Sequence, residues 1–175
     1  MKINISNLSQ GTHEYKLSKS AAELELHEHF LGEVTSHVTL EKSSRQILLR
    51  AGVRSSASFQ CDRCLDEFTK EISPSFQIVY VWDGEERSAD REEDIRILRA
   101  DTNIIDISDA VRDTLLVAVP LKLLCKENCA GLCPRCGKNL NHAAGGSCDC
   151  APDKSDSRWN KLAELVEVSM SKKKN

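Results

Sequence analysis

Residues 125–150 read C-K-E-N-C-A-G-L-C-P-R-C-G-K-N-L-N-H-A-A-G-G-S-C-D-C and contain six of the eight cysteines in this chain of 175 residues. The other two, Cys61 and Cys64, form a separate C-x-x-C pair. Two cysteines at this spacing can direct their thiolates from one turn toward one metal ion, and four thiolates complete the tetrahedral shell of zinc. The sequence therefore predicts a protein that one or two structural zinc ions stabilise.

The spacing favours one division of the cysteines into two groups. Cys133-Pro-Arg-Cys136-Gly is typical of a zinc knuckle, in which the glycine lets backbone amides reach the sulfurs. The first predicted site combines this knuckle with Cys148 and Cys150. The second would fasten the C-terminal module to the rest of the protein and takes the remaining residues, Cys61, Cys64, Cys125 and Cys129.

Other arrangements of the cysteines remain open. The pairs could mix, Cys61 and Cys64 could carry no metal, or His142 could act as a ligand. Disulfides are a further alternative, although the Cys148-Asp-Cys150 spacing would strain one. No run approaches ~18 continuous apolar residues, and the N-terminus does not resemble a signal peptide. We therefore expect a cytoplasmic protein without membrane association, in which reduced thiols favour metal.

Composition narrows the choice of partners. The net charge is −3, whereas sequence-blind nucleic-acid binding needs a clearly basic surface. A local basic patch is nevertheless interleaved with the cysteines and is the candidate contact for RNA or a protein: Lys122, Lys126, Arg135 and Lys138. We expect no DNA partner.

Hydrophobic patterning predicts an α+β fold. Alternation of apolar and polar residues indicates strands at 3–5, 34–40, 46–50, 53–60, 72–81 and 103–107. Strands this closely spaced pair as an antiparallel meander. We therefore expect an antiparallel β-sheet or partly open barrel with packed helices and a small C-terminal zinc-binding module.

Two helices are predicted. Ser108 is a suitable N-cap for a helix that packs through Val111 and Leu115 and ends before Pro120. Another helix begins near Ser157 and has one apolar side. The predicted domains are a β-rich core with one helix at 1–120, a cysteine-rich zinc module at 121–151, and a C-terminal helix with a basic tail at 152–175.

Two polar features have ordinary explanations. The segment 83–94 contains seven acidic residues and is typical of a solvated connection, with a docking site for a basic partner as the alternative. His27 and His29 continue the face of Glu23 and Glu25 in an alternating run, which indicates a solvated strand face rather than a metal site.

No feature of the sequence indicates an enzyme. A shell of four cysteines has no open position for water, so it is structural rather than catalytic. The chain lacks a glycine-rich phosphate-binding motif, G-x-S-x-G and H-E-x-x-H. A cysteine nucleophile with a histidine base is disfavoured, because the cysteines have the spacing of ligands.

One series of motifs runs through the second half of the chain. It consists of Cys61-Asp-Arg-Cys64-Leu65, Leu124-Cys125 after Pro120, Cys129-Ala-Gly-Leu-Cys133-Pro-Arg-Cys136-Gly-Lys-Asn-Leu-Asn141, Cys148-x-Cys150 and Asp156-Ser-Arg-Trp159. This order resembles the YceD family, proteins linked to accumulation of large-subunit ribosomal RNA, over roughly residues 50–165. Ser157 departs from the proline that the family often has there.

The resemblance implies a non-enzymatic ribosome-biogenesis factor that supports synthesis, processing or stability of 23S ribosomal RNA. Its partner would be pre-ribosomal RNA, a ribosomal protein or a processing factor. Family members differ in how many of these cysteines they keep, so metal would stabilise this version of the fold. The alternative is a redox-regulated zinc-dependent chaperone, in which oxidation of the knuckle cysteines releases metal. A DNA-binding zinc ribbon is disfavoured by the negative net charge.

Overall fold

The structure, a computed structural model, describes residues 1–82, 95–142, 148 and 150. The chain divides into two units, Met1–Cys129 and Ala130–Asn175. The acidic connection at 83–94 and the C-terminal helix, both predicted from the sequence, lie outside the described residues. In the ranges that are described, no helix is long and apolar enough to cross a membrane.

A six-stranded sheet forms the body of the first unit. Its strands are β2 (Gly11–Ser20), β3 (Phe30–Lys42), β4 (Gln46–Gln60), β5 (Glu67–Ile72), β6 (Ser75–Trp82) and β7 (Ile95–Leu98), and a separate strand β1 (Lys2–Asn4) precedes them. The order is β2-β3-β4-β6-β7, with β5 also paired to β4. All pairs are antiparallel except β6 and β7, which run parallel.

Strand β4 is the centre of this sheet. Its buried and exposed residues alternate with a period of two from Ile47 to Phe59, which is the pattern of a strand with one face on a core. One edge pairs with β3. The other edge is shared, because β6 pairs with residues 46–52 and β5 with residues 55–60.

Three short elements cover the inner face. Strand β8 (Ile104–Asp106) pairs with β1, and helix α1 (Ser108–Val117) follows it. The helix contacts β4, β6 and a 3₁₀ turn at Ala22–Leu24, and its Val111 and Leu115 are fully buried. Ser108 is not the cap that the sequence predicts. The Ser108 amide instead donates to the carboxylate of Asp106 at 2.9 Å, so the acceptor comes from the end of β8.

The prediction of an α+β fold is confirmed in part. The described residues form a mostly β structure with α1 as their one α-helix, so packed helices are not supported there. The sheet is open within these residues, because β2 and β7 are its outer strands. His27 and His29 are exposed and lie between the 3₁₀ turn and β3.

Two serines interrupt the apolar core. Ser36 on β3 and Ser55 on β4 are buried, with exposures of 0% and 2%. Among the described residues neither hydroxyl has a hydrogen-bond partner. A buried hydroxyl without a partner loses its hydrogen bonds to water and gains none in return. These two residues therefore lower the stability of the sheet.

Replacing Ser55 with alanine should raise the free energy of unfolding by about 1 kcal/mol, because the variant no longer buries an unpaired hydroxyl. Chemical denaturation monitored by circular dichroism measures this change. Ser56→Ala alters the exposed neighbour on the same strand and should stay within about 0.5 kcal/mol of the parent protein. A destabilised Ser55→Ala protein would contradict the assignment of a penalty to this hydroxyl.

Candidate metal centres

Strand β4 places the first cysteine in the interior, because every second residue of this strand faces the core. Ile47, Phe59 and the residues between them at every second position face the core, and Cys61 is the next position in this series. Cys61 is 0% exposed. A tight turn follows, in which the Cys61 amide donates to Asp66 O at 2.9 Å and the Leu65 amide donates to Cys61 O at 2.9 Å. This turn brings Cys64 back beside Cys61.

The second C-x-x-C pair has the same backbone pattern. The Cys133 amide donates to Lys138 O at 2.8 Å, and the Gly137 amide donates to Cys133 O at 2.9 Å. Gly137 has φ +71° and Leu65 has φ +62°. Glycine adopts this left-handed conformation freely, whereas a leucine there costs about 1–2 kcal/mol. The two knuckles are thus structurally equivalent, and the first is the more strained.

Four cysteines of the first unit form the first cysteine group, Cys61, Cys64, Cys125 and Cys129. Their sulfur atoms all lie within 4.8 Å of one another. Two of the separations are 3.8 Å, between Cys61 and Cys129, and 3.6 Å, between Cys64 and Cys125. A tetrahedral ion bound at about 2.3 Å places its sulfur ligands about 3.8 Å apart. The geometry therefore suits one tetrahedral metal ion.

Two side chains of the first knuckle attach the segment that carries Cys125 and Cys129. The Asp62 carboxylate accepts a hydrogen bond from the Leu123 amide at 2.7 Å, and the Asp62 amide donates to Leu123 O at 2.8 Å. The Arg63 guanidinium donates to Cys129 O at 3.0 Å. The sequence alone predicts no role for these two residues. Their position between the cysteines of the first pair is the signal that could have suggested one.

The second cysteine group consists of Cys133, Cys136, Cys148 and Cys150, whose sulfurs also lie within 4.8 Å of one another. Cys148 Sγ is 3.2 Å from Cys133 Sγ. The Arg135 amide donates to Cys133 Sγ at 3.4 Å, as expected of a knuckle that stabilises a thiolate. None of the eight cysteines of the two groups forms a disulfide.

In the first group, burial raises the pKa of the thiols, whereas backbone amides lower it. Burial raises the pKa of the Cys61 thiol, but amides of the knuckle and of Cys125 outweigh it and lower that pKa to about 6. Burial raises the pKa of Cys64, and the neighbouring sulfurs raise it further. The pKa of Cys125 is also raised, first by burial. One thiolate therefore forms readily, and its neighbours resist further negative charge.

In the second group, too, one thiol has a lowered pKa and another has a raised pKa. Amides of Cys136 and Arg135 lower the pKa of Cys133 to about 6. The sulfurs of Cys136 and then Cys148 raise the pKa of Cys150 to about 12. A cation placed among the four sulfurs favours the thiolate at every position, since opposite charge stabilises the ionised form. Sulfur ligands in a tetrahedral arrangement suit zinc or iron, so both groups fit such an ion.

Comparison with known proteins places the chain in a family. The family described as large ribosomal RNA subunit accumulation protein YceD matches residues 49–166, which include both cysteine groups. The chain belongs to the YceD family. No solved structure matches the chain.

Several relatives of this YceD protein are known by sequence. An uncharacterized protein of Mycobacterium tuberculosis is 25% identical over 127 residues, which are 73% of this chain and 59% of that protein. The chain thus spans about three fifths of this relative's length. Chloroplastic proteins named large ribosomal RNA subunit accumulation protein YCED homolog 1 match shorter stretches. The Arabidopsis thaliana protein is 34% identical over 68 residues, which are 39% of this chain and 20% of that protein. The Zea mays protein is 46% identical over 48 residues, which are 27% of this chain and 16% of that protein.

The structure brings the eight cysteines of this YceD protein together in the two groups that their spacing favoured. His142 belongs to neither group of the described residues. The four basic residues of the predicted partner contact are all exposed; Lys122 and Lys126 lie in the first unit, and Arg135 and Lys138 lie in the second. Their role in partner binding stays a prediction, as do the metal ligands and the domain boundaries 1–120, 121–151 and 152–175.

Replacing Cys61 and Cys64 together with serine should lower the metal content from about two ions per chain to about one, because half of one tetrahedral set is removed. Elemental analysis of the purified protein measures this ratio. The matched variant Cys133→Ser/Cys136→Ser should lose the other ion. An unchanged ratio in the Cys61/Cys64 variant would show that the first group does not bind metal.

Replacing Asp62 with alanine should weaken metal binding at the first group about tenfold, because this side chain positions the segment that carries Cys125. Titration with Co²⁺ reports each centre through its thiolate absorption, so the second group serves as an internal reference. Glu67→Ala, a nearby exposed acid at the start of β5, is the matched control. Equal affinities in the two variants would exclude a positioning role for Asp62.

Proposed function

We propose that this YceD protein is a non-enzymatic ribosome-biogenesis factor that supports synthesis, processing or stability of 23S ribosomal RNA. Family membership over residues 49–166 carries this proposal. The names of the plant relatives support it, since both refer to accumulation of large-subunit ribosomal RNA. The proposed place of action is the cytoplasm, where bacterial ribosomes are assembled.

We propose zinc as the metal of both cysteine groups, in a structural role. When bound, zinc supplies a tetrahedral cross-link between chain segments that are distant in sequence. The first group would join the end of β4 to residues 125–129, and Asp62 and Arg63 already hold these segments together. Four cysteine ligands leave no coordination position for water or substrate. This closed geometry supports a role without catalysis.

The proposed partner contacts are Lys122, Lys126, Arg135 and Lys138, which are exposed beside the cysteines in sequence. Lysine and arginine side chains can neutralise RNA phosphates or pair with acidic protein groups. The net charge of −3 favours a ribosomal protein or processing factor, or RNA bound jointly with protein, over RNA alone. These residues are therefore the first to test for ribosomal association.

Depletion of this protein from cells should reduce 50S particles and lower the ratio of 23S to 16S ribosomal RNA. Sucrose-gradient sedimentation and RNA quantification measure both quantities. A normal profile under cold and oxidative stress would contradict the proposal and leave the redox-regulated chaperone as the alternative function.

The same depleted cells allow the basic residues to be tested by complementation. Lys122→Glu/Lys126→Glu and Arg135→Glu/Lys138→Glu should each lose co-sedimentation with 50S particles, because charge reversal repels an anionic partner. Lys16→Glu/Lys70→Glu makes the same change in charge at exposed positions on β2 and β5 and should complement fully. Full complementation by all three variants, each shown to be folded by circular dichroism, would exclude these four residues as partner contacts and leave the ribosomal role itself intact.

A further inference from the structure

The two cysteine groups share a backbone pattern but differ in exposure. In the first group Cys61, Cys64 and Cys129 are all less than 5% exposed, Cys125 is half-buried, and no member is exposed. They form a small apolar cluster against which Phe68 and Leu124 pack. A thiolate in such surroundings is shielded from solutes, because a reagent must displace packed side chains to reach the sulfur.

The second group has an exposed member. Cys136 is exposed, Cys148 and Cys150 are half-buried, and Cys133 is the one buried cysteine of the four. Of the eight cysteines, Cys136 is therefore the one that a dissolved oxidant reaches most easily.

We propose that the second cysteine group is an oxidant-sensitive modification site, that Cys136 is its point of attack by peroxide, and that the first group is inert under the same conditions. This inference goes beyond the proposed ribosomal function and does not depend on it. It rests on the difference in burial between two groups that have the same four ligand atoms and the same knuckle geometry.

The chemistry needs only a peroxide as co-reactant. The Cys136 thiolate attacks one peroxide oxygen, the O–O bond breaks, and hydroxide leaves, which gives a sulfenic acid at Cys136. A second thiolate of the group, within 4.8 Å, attacks that sulfur, so an S–S bond forms and hydroxide leaves again. Two electrons pass from the sulfurs to the peroxide, and two solvent protons convert the hydroxides to water. The oxidised pair no longer offers two thiolates to a metal ion.

Mass spectrometry after differential alkylation tests this order directly on the purified protein. Hydrogen peroxide is added, remaining thiols are blocked, and oxidised cysteines are then reduced and labelled. We expect Cys136 and one other cysteine of the second group to be oxidised at least about tenfold faster than any cysteine of the first group. A chromogenic chelator should detect release of about half of the bound metal. Oxidation of the first group at an equal or higher rate would overturn the proposal.

Paired histidine variants separate Cys136 from its neighbours. Cys136→His retains a metal-binding side chain but removes the attacked thiol, so metal release should slow about tenfold. Ser56→His introduces the same side chain at an exposed position outside both groups and should leave the release rate of the second group unchanged. Oxidation of Cys133 in Cys136→His as fast as in the parent protein would exclude Cys136 as the point of attack. The thiol map of the parent protein gives a decision even if one variant does not fold.

Discussion

Four sulfur atoms held within 4.8 Å of one another cannot all carry negative charge unless a cation lies among them. The surroundings of both cysteine groups reflect this constraint. Backbone amides of each knuckle stabilise one thiolate, and burial together with neighbouring sulfurs opposes ionisation of other members of the group. A tetrahedral metal ion removes the conflict, since it provides the positive charge that four thiolates require. The groups are therefore sites whose electrostatics favour a cation, rather than accidental clusters of cysteines.

The sheet determines where the first of these groups forms. The alternation along β4 continues past its last residue, so Cys61 faces inward by the same rule as Ile47 and Phe59. The turn then returns Cys64 to the same side, and Asp62 and Arg63 attach the chain that carries the other two ligands. The second knuckle repeats the turn without a preceding strand, with Gly137 where the first has Leu65. The same turn thus positions a C-x-x-C pair both at the end of a strand and in a segment that follows no strand.

Local rules in the sequence predicted the two C-x-x-C pairs, because ligand spacing within a turn is a short-range property, whereas the members of the first group were assigned only as the cysteines that remained. They also predicted β3 and the burial of α1, for which apolar periodicity is strong. Residues 46–60 were predicted as two strands, but Gly52 lies on the outward face and leaves β4 unbroken. Strand β2 was missed because few of its residues are apolar. The parallel pairing of β6 with β7 and the bond between Asp62 and Leu123 are long-range contacts, so no local pattern encodes them.

The divided edge of β4 has a consequence for how the first unit responds to local opening. A strand of 15 residues is about 50 Å long, and β5 and β6 occupy separate halves of one edge. Local unfolding of β4 near Cys61 would break the hydrogen bonds between β4 and β5 and leave those between β4 and β6 intact. Amide hydrogen exchange would then be accelerated in β5 and in residues 55–60 of β4, while residues 46–52, which pair with β6, stay protected. The sheet can yield at one end as a separate cooperative unit and remain folded at the other.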